Sequence, residues 1–189
     1  MPFSFAVRLV CLPAVAVTLL ATLTAPALGE RPDPVRQAAL ELTPTAVGRI
    51  AVGGSAKAAE KMLRRTLGPP DRAIDSKGCE LDATADPRRT LTWDALTVSL
   101  APAGAGRLVG WTIGAGRIPP HVTLPHGVTT ATTVREAVRA IPGAKTQWDE
   151  VFQMYWITAP AEPSMMWAGD HEDGSGRIAY ITNAFEPCE

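Results

Sequence analysis

The chain is short of most residues that carry chemistry. Its 189 residues include three cysteines and three histidines, and aromatic residues make up only 6%. Neither sign of charge dominates, since 18 Lys and Arg face 19 Asp and Glu. That balance excludes a nucleic-acid binder driven by a basic field. No HExxH helix, no GxSxG nucleophile elbow and no Cys or His pair at zinc-ligand spacing occurs. Beyond residue 30 no apolar run approaches the roughly 20 residues that a membrane-spanning helix needs. Apolar residues are plentiful, at 46%, which excludes a disordered chain. The length excludes a large multidomain enzyme. With no constellation that identifies a reaction, the sequence reads as a non-enzymatic protein without cofactor or metal.

One long apolar run opens the chain. Arg8 precedes an apolar stretch over residues 9–20, and Ala25-Pro26-Ala27 follows. A positive start, an apolar middle and a small-x-small end predict a secretory signal peptide over residues 1–29 and an extracytoplasmic destination. Ala25-Pro26-Ala27 fits cleavage before Leu28, and Ala27-Leu28-Gly29 fits cleavage before Glu30. The alternative is an uncleaved signal anchor, which Pro13 and the threonines oppose. Cys11 lacks the small residue that a lipoprotein site needs before it. Taking 29 residues from 189 leaves a mature chain of 160, with 17 basic and 19 acidic side chains. A chain of that length buries about two thirds of its surface and needs no metal to fold. No membrane contact is expected after cleavage.

Cys79 and Cys188 remain after export. An even pair in an oxidising compartment predicts a disulfide, here closing a loop of 109 residues.

The rest reads as an α+β protein of two tandem repeats, each a short helix packed on an antiparallel β-meander. Residues 30–41 carry two early prolines and read as a flexible lead-in. Residues 42–118 form the first repeat and residues 119–189 the second. A helix is expected over residues 56–67, where Ala59, Met62, Leu63 and Thr66 make one stripe, Ser55 caps the start and Gly68-Pro69-Pro70 stops it. Glu60 and Arg64 stand at the spacing of an i, i+4 pair. Short alternating runs at Leu91 and Trp93, at Leu96, Val98 and Leu100, and at Val109, Trp111 and Ile113 predict strands of a meander. The order then recurs. Val134, Ala137, Val138 and Ile141 make a second stripe, opened by the capping box of Thr133 and Glu136. Strand-like runs follow over residues 151–158 and 177–182. The two stripes superpose with an offset of 75, and Gly106-Arg107-Leu108 superposes on Gly176-Arg177-Ile178 with an offset of 70.

The stretch Val47-Gly48-Arg49-Ile50-Ala51-Val52-Gly53-Gly54-Ser55, with a helix ending in Leu67-Gly68-Pro69-Pro70-Asp71, resembles the entry motif of small secreted repeat folds. These are the β-lactamase inhibitor proteins of actinobacteria and the outer-membrane assembly lipoproteins of the SmpA/OmlA type. The resemblance implies helices on an antiparallel sheet whose concave face binds a partner. Two departures stand out. The inhibitors carry a disulfide within each repeat, whereas Cys79 and Cys188 belong to different halves. Their enzyme-inserting hairpin carries an acidic residue, and residues 101–106 carry none.

Function must therefore be sought in binding. His121, His126 and His171 read as solvated loop residues. Asp170, Glu172 and Asp173 precede Gly174-Ser175-Gly176 and read as a hairpin tip, not as a calcium loop. A two-layer α+β unit leaves one sheet face without helices. Tyr155 and Trp156, being neighbours on a strand, must point to opposite faces. Trp111, Tyr155, Trp156 and Trp167 are thus the candidate binding residues, because exposed aromatics anchor interfaces. The expected partner is a protein or a cell-envelope component. The leading reading is a secreted binding module, with an inhibitor as one possibility. An envelope assembly factor is the alternative, and a small hydrolase with an unread site a more distant one. The cysteine reading is open to a direct check. Non-reducing peptide mapping should link Cys79 to Cys188, and Cys188→Ser should then destabilise the fold by about 2–5 kcal/mol. Both thiols alkylating without prior reduction would sink it.

Overall fold

A computed structural model describes residues 39–77, 87–102, 106–170 and 175–184. The leader, both surviving cysteines, His171, Glu172 and Asp173 lie outside the described residues.

In chain order the elements are β1 (Leu40–Thr43), β2 (Ala46–Val47), β3 (Ile50–Ala51), α1 (Ala56–Leu67), β4 (Arg72–Ser76), β5 (Arg88–Trp93), β6 (Leu96–Ala101), β7 (Arg107–Ile113), β8 (Val122–Thr123), a 3-10 turn (Pro125–Gly127), α2 (Val134–Ala140), β9 (Lys145–Asp149), β10 (Met154–Ala159), β11 (Glu162–Gly169) and β12 (Ile178–Thr182). Strands β4 to β7 and β9 to β12 join in one eight-stranded sheet of order β4-β5-β6-β7-β12-β11-β10-β9. Every neighbouring pair in it is antiparallel. A smaller sheet, β3-β2-β1-β8, includes one parallel pair, β1 with β8. The class is α+β, as expected. The small sheet was not foreseen, and β1 corrects the lead-in. Leu40 and Leu42 alternate with exposed Glu41 and are buried, so residues 40 and 41 already belong to the folded body.

Each helix is set by its cap. Ser55 Oγ accepts from the Ala58 amide at 3.3 Å. Thr133 and Glu136 form the full capping box, the Glu136 carboxylate taking the Thr133 amide at 2.9 Å and hydroxyl at 2.8 Å. Those hydrogen bonds, the backbone one foremost, hold the Glu136 carboxyl below its ordinary range. Glu60 and Arg64 pair at 2.8 Å on the outer side of α1. Ala59 and Leu63 of α1, with Val134, Ala137 and Ile141 at α2, enter the core.

The two helix entries make the same contacts. The Ala56 amide donates to the Gly106 carbonyl, and the Val134 amide to that of Gly176. In return Leu108 donates to Gly54 and Ile178 to Thr132. Ser55 bridges Arg107 as Thr133 bridges Arg177. Matched on these caps the helices stand 78 residues apart, not the 75 by which their stripes superpose in sequence. The stripes superpose together with the glycines that follow them, Gly68 and Gly143, but α1 runs 12 residues and α2 only 7, so caps and glycines cannot superpose at one offset.

Strand β11 passes close beneath α2. A Cβ on Gly169 would overlap Cγ2 of Val134. Gly169→Ala is therefore expected to destabilise the protein by about 1–3 kcal/mol in urea unfolding. Adding Val134→Ala should recover part of that loss. Strictly additive losses in the double variant would disprove the steric cause.

Candidate functional site

The structure divides the four candidate aromatics. Trp111 is 1% exposed and Trp167 0% exposed, which corrects their reading as surface anchors. Both occupy core-facing positions near the middle of the sheet. Trp111 lies opposite Val98, and Trp167 between Ile157 and Ile181. The Trp111 indole donates to the Thr43 carbonyl at 2.9 Å, tying β1 to the main sheet.

Strand register assigns the other two. Tyr155 is level with Trp148 and with Gly169, which lies against α2, so Tyr155 is on the helix side. Trp156 is level with Gln147 and Ala168 and faces away from the helices. Tyr180, also level with Ala168, shares that face. The rings of Trp156 and Tyr180 meet edge to face at 5.8 Å over buried Ala168. Phe152 meets Trp156 edge to face at 6.1 Å. Burial pushes the Tyr180 phenol up to about 12. The result is an aromatic row, Phe152–Trp156–Tyr180, across β10 to β12. Towards β6 the same face is not open: Ser99 and Thr182 are buried there.

The row ends at a feature the sequence reading missed. Residues 151–158 do not form one strand. Residues 150–153 are the tip of a hairpin between β9 and β10. The Asp149 carboxylate bends the chain. Its Oδ1 accepts from the amides of Val151 at 2.9 Å and Phe152 at 3.1 Å, and its Oδ2 from the Trp156 indole at 3.2 Å. Gln153 closes the tip at φ +54°. Val151 is left 85% exposed and Phe152 55% exposed. An Asp two positions before an apolar pair was the available signal, because Asx turns start this way.

Of the clefts elsewhere, two are lined by residues singled out in the sequence. One, of about 430 Å³, runs past Arg65, Asp71, Trp93, Asp94, Arg117 and His121. Its carboxylates are committed: Asp94 pairs with Arg117 at 3.0 Å, and Asp71 accepts the Asp94 amide at 2.7 Å. The other, of about 250 Å³, lies between α2 and β9. His126 is exposed in its 3-10 turn, as expected, but it is partnered. Its Nε2 lies 3.0 Å from Glu162, and its ring is 6.1 Å from that of Trp167, which clasps the segment before α2 to the β10–β11 hairpin. Among the described residues no three His, Cys, Asp or Glu side chains converge as metal ligands, and no helix is long and apolar enough to cross a membrane.

No protein-family model, no curated protein and no solved structure matches the chain.

The Asp149 clamp has a pH signature. Amide donation from Phe152, with the Trp156 indole and the Val151 amide, holds its carboxyl below the ordinary value. A depressed carboxyl stabilises the fold at pH above its unfolded value, and that contribution is lost as pH falls through the folded value. In an NMR titration the Val151 and Phe152 amide shifts should move together, with a midpoint below that of a free Asp. A midpoint at or above the free value would rule out the clamp.

Proposed function

We propose that the protein is a non-catalytic, extracytoplasmic binding module that engages a protein or cell-envelope component through the β9–β10 hairpin and the adjoining aromatic row. One observation carries this reading. The two most exposed large apolar side chains among the described residues, Val151 and Phe152, sit side by side on a tip that is clamped, not loose. Exposing them costs solvation in the free protein, which a partner's apolar surface would recover. The clamp fixes their geometry beforehand, so little conformational entropy is lost on contact. Of the aromatics favoured by sequence, Trp156 belongs to this site, Tyr155 lies behind it, and Trp111 and Trp167 are framework.

The tandem-repeat reading belongs to the same proposal. Its support is threefold. The strand order is a palindrome of two four-stranded meanders. The two helix entries share their hydrogen bonds. At the meeting of β7 and β12, Thr112 lies opposite Thr182, an equivalent residue at the offset of 70, with the hydroxyls 2.9 Å apart. Antiparallel strands that meet at equivalent residues define a local two-fold axis. The likeness to the inhibitor and assembly-lipoprotein folds is, on this proposal, one of helix-then-meander units.

The binding proposal is tested by immobilising the wild-type protein and a Phe152→Ser variant, and comparing what each retains from culture medium and envelope extracts. A partner specific to the wild type should bind the variant about 30-fold more weakly, with the melting temperature lowered by only a few degrees for the lost Trp156 contact. Trp111→Ala, a framework control, should instead lose about 3–5 kcal/mol of stability. Equal retention by wild type and Phe152→Ser would remove the hairpin from consideration.

A further inference from the structure

We infer that β9 is the seam of a homodimer, in which the β9 strands of two copies pair antiparallel about Gln147. Among the described residues the strand ends the eight-stranded sheet and is paired only with β10. Lys145, Thr146 and Gln147 are exposed, and no proline or bulge interrupts the strand. Such an edge presents a row of backbone donors and acceptors to any chain that fits it.

What fits best is a second copy. A two-fold axis through Gln147, normal to the sheet, keeps each face of the sheet continuous across the seam. It sets Lys145 of either copy directly opposite Asp149 of the other. Both residues lie on the aromatic-row face, since Gln147 between them is level with Trp156. Lys145 makes no ion pair among the described residues, and the Asp149 carboxylate stays charged while it takes its three hydrogen bonds. The seam would thus gain two opposite-charge cross-strand pairs by symmetry.

The helix face supplies a second, independent match. The same axis sets Trp148 of one copy opposite Thr146 of the other. Thr146 floors the cleft of about 250 Å³ whose walls are Val134, Arg135, Val138, Arg139 and Tyr155. Directly opposed residues hold their Cβ atoms about 4.5–5.5 Å apart, well within the length of an indole. Trp148, half-buried in the single chain, would fill the cleft of its neighbour, and the neighbour's Trp148 would do the same in return. Arginines at the rim suit an indole face. The opposite edge, β4, lacks this complementarity. Paired about Ile74, it sets Arg72 opposite Ser76 and Ala73 opposite Asp75, and Asp75 is already held by Arg89 at 3.1 Å. The chain also uses the same device internally at β7 and β12, where Thr112 meets Thr182.

Sedimentation equilibrium of the full chain should give twice the chain mass. Lys145→Glu, which opposes two carboxylates at each end of the seam, should raise the dissociation constant about tenfold or more. Trp148→Ala should weaken the dimer as well. Gln147→Cys should form a covalent dimer on mild oxidation, because the two copies of residue 147 face each other. Thr146→Cys should not, because its counterparts lie more than about 7 Å apart at Cα. Lys145, Thr146 and Gln147 are exposed, so at a concentration where the wild type is monomeric the variants at these three positions should melt as it does. A wild-type protein that stays monomeric at every soluble concentration overturns the inference and leaves the edge to a strand of another protein. Equal cross-linking of the two cysteine variants overturns the register. Neither result bears on Phe152-dependent capture, which tests the hairpin tip separately.

Discussion

The structure hangs on how two four-stranded halves are joined along a very short ladder. Strands β7 and β12 share only two residue pairs, Ile113 with Ile181 and Thr112 with Thr182. Side chains extend the join. Asn183 Oδ1 accepts the Trp111 amide at 2.7 Å, and its Nδ2 donates to the Pro44 carbonyl at 3.1 Å. The Thr182 hydroxyl donates to the Trp111 carbonyl at 3.1 Å. Gly110 makes room, because any Cβ there would strike Ala184 and Asn183. Trp111 is thus held by its backbone to one half and by its indole to β1. These polar groups are buried, and a buried polar group left unmatched is costly. That cost explains why an Asn, a Thr and a Trp, each with a donor, converge at the middle of an otherwise apolar core.

With the seam closed, position along the sheet decides what a side chain can do. Trp93, Trp111 and Trp167 on the helix side become framework, and Trp156 and Tyr180 on the other face form the row that runs to the β9–β10 tip. The faces differ as well. On the first half, the side away from the helices carries Thr92 and Thr97 in hydroxyl contact at 3.4 Å, and on the second half it carries the Phe152–Trp156–Tyr180 row. Two halves of like topology therefore present unlike surfaces.

Much of the frame was legible in sequence because it rests on local rules. Ser55 and the Thr133–Glu136 box mark helix starts by hydrogen-bonding chemistry that needs no tertiary partner. Alternation at Leu91, Trp93, Leu96 and Val98 gives strands by the same reasoning. Four things were not legible. Leu40 and Leu42 form too short a run to read as a strand until β8 is seen beside them. Val151 and Phe152 look like strand residues by composition, and only the Asp149 carboxylate, taking two amides, shows that the chain turns there. Alternation predicts that Tyr155 and Trp156 part company, and they do, but it cannot say which faces the helices. Nor can it say that Trp111 and Trp167 lie inside. Those facts depend on strand order, and strand order depends on long-range pairing that no window of sequence contains.

The asymmetry between the ends of the sheet bears on which positions are open to change. In both halves the first strand of the meander lies at an edge and the last at the seam. The seam strands are constrained by each other, so substitutions there must preserve the Thr112–Thr182 contact and the Asn183 hydrogen bonds. The edge strands have one neighbour each and are free to differ. Where β9 turns into β10 the chain uses a four-residue tip clamped by one carboxylate, whereas β4 and β5 are joined by the longer stretch over residues 77–87. On the proposed duplication, one unit supplied two copies of a scaffold and the outermost connection was the place open to change. The outermost connection can differ between the halves because positions there can alter without breaking the join at the centre.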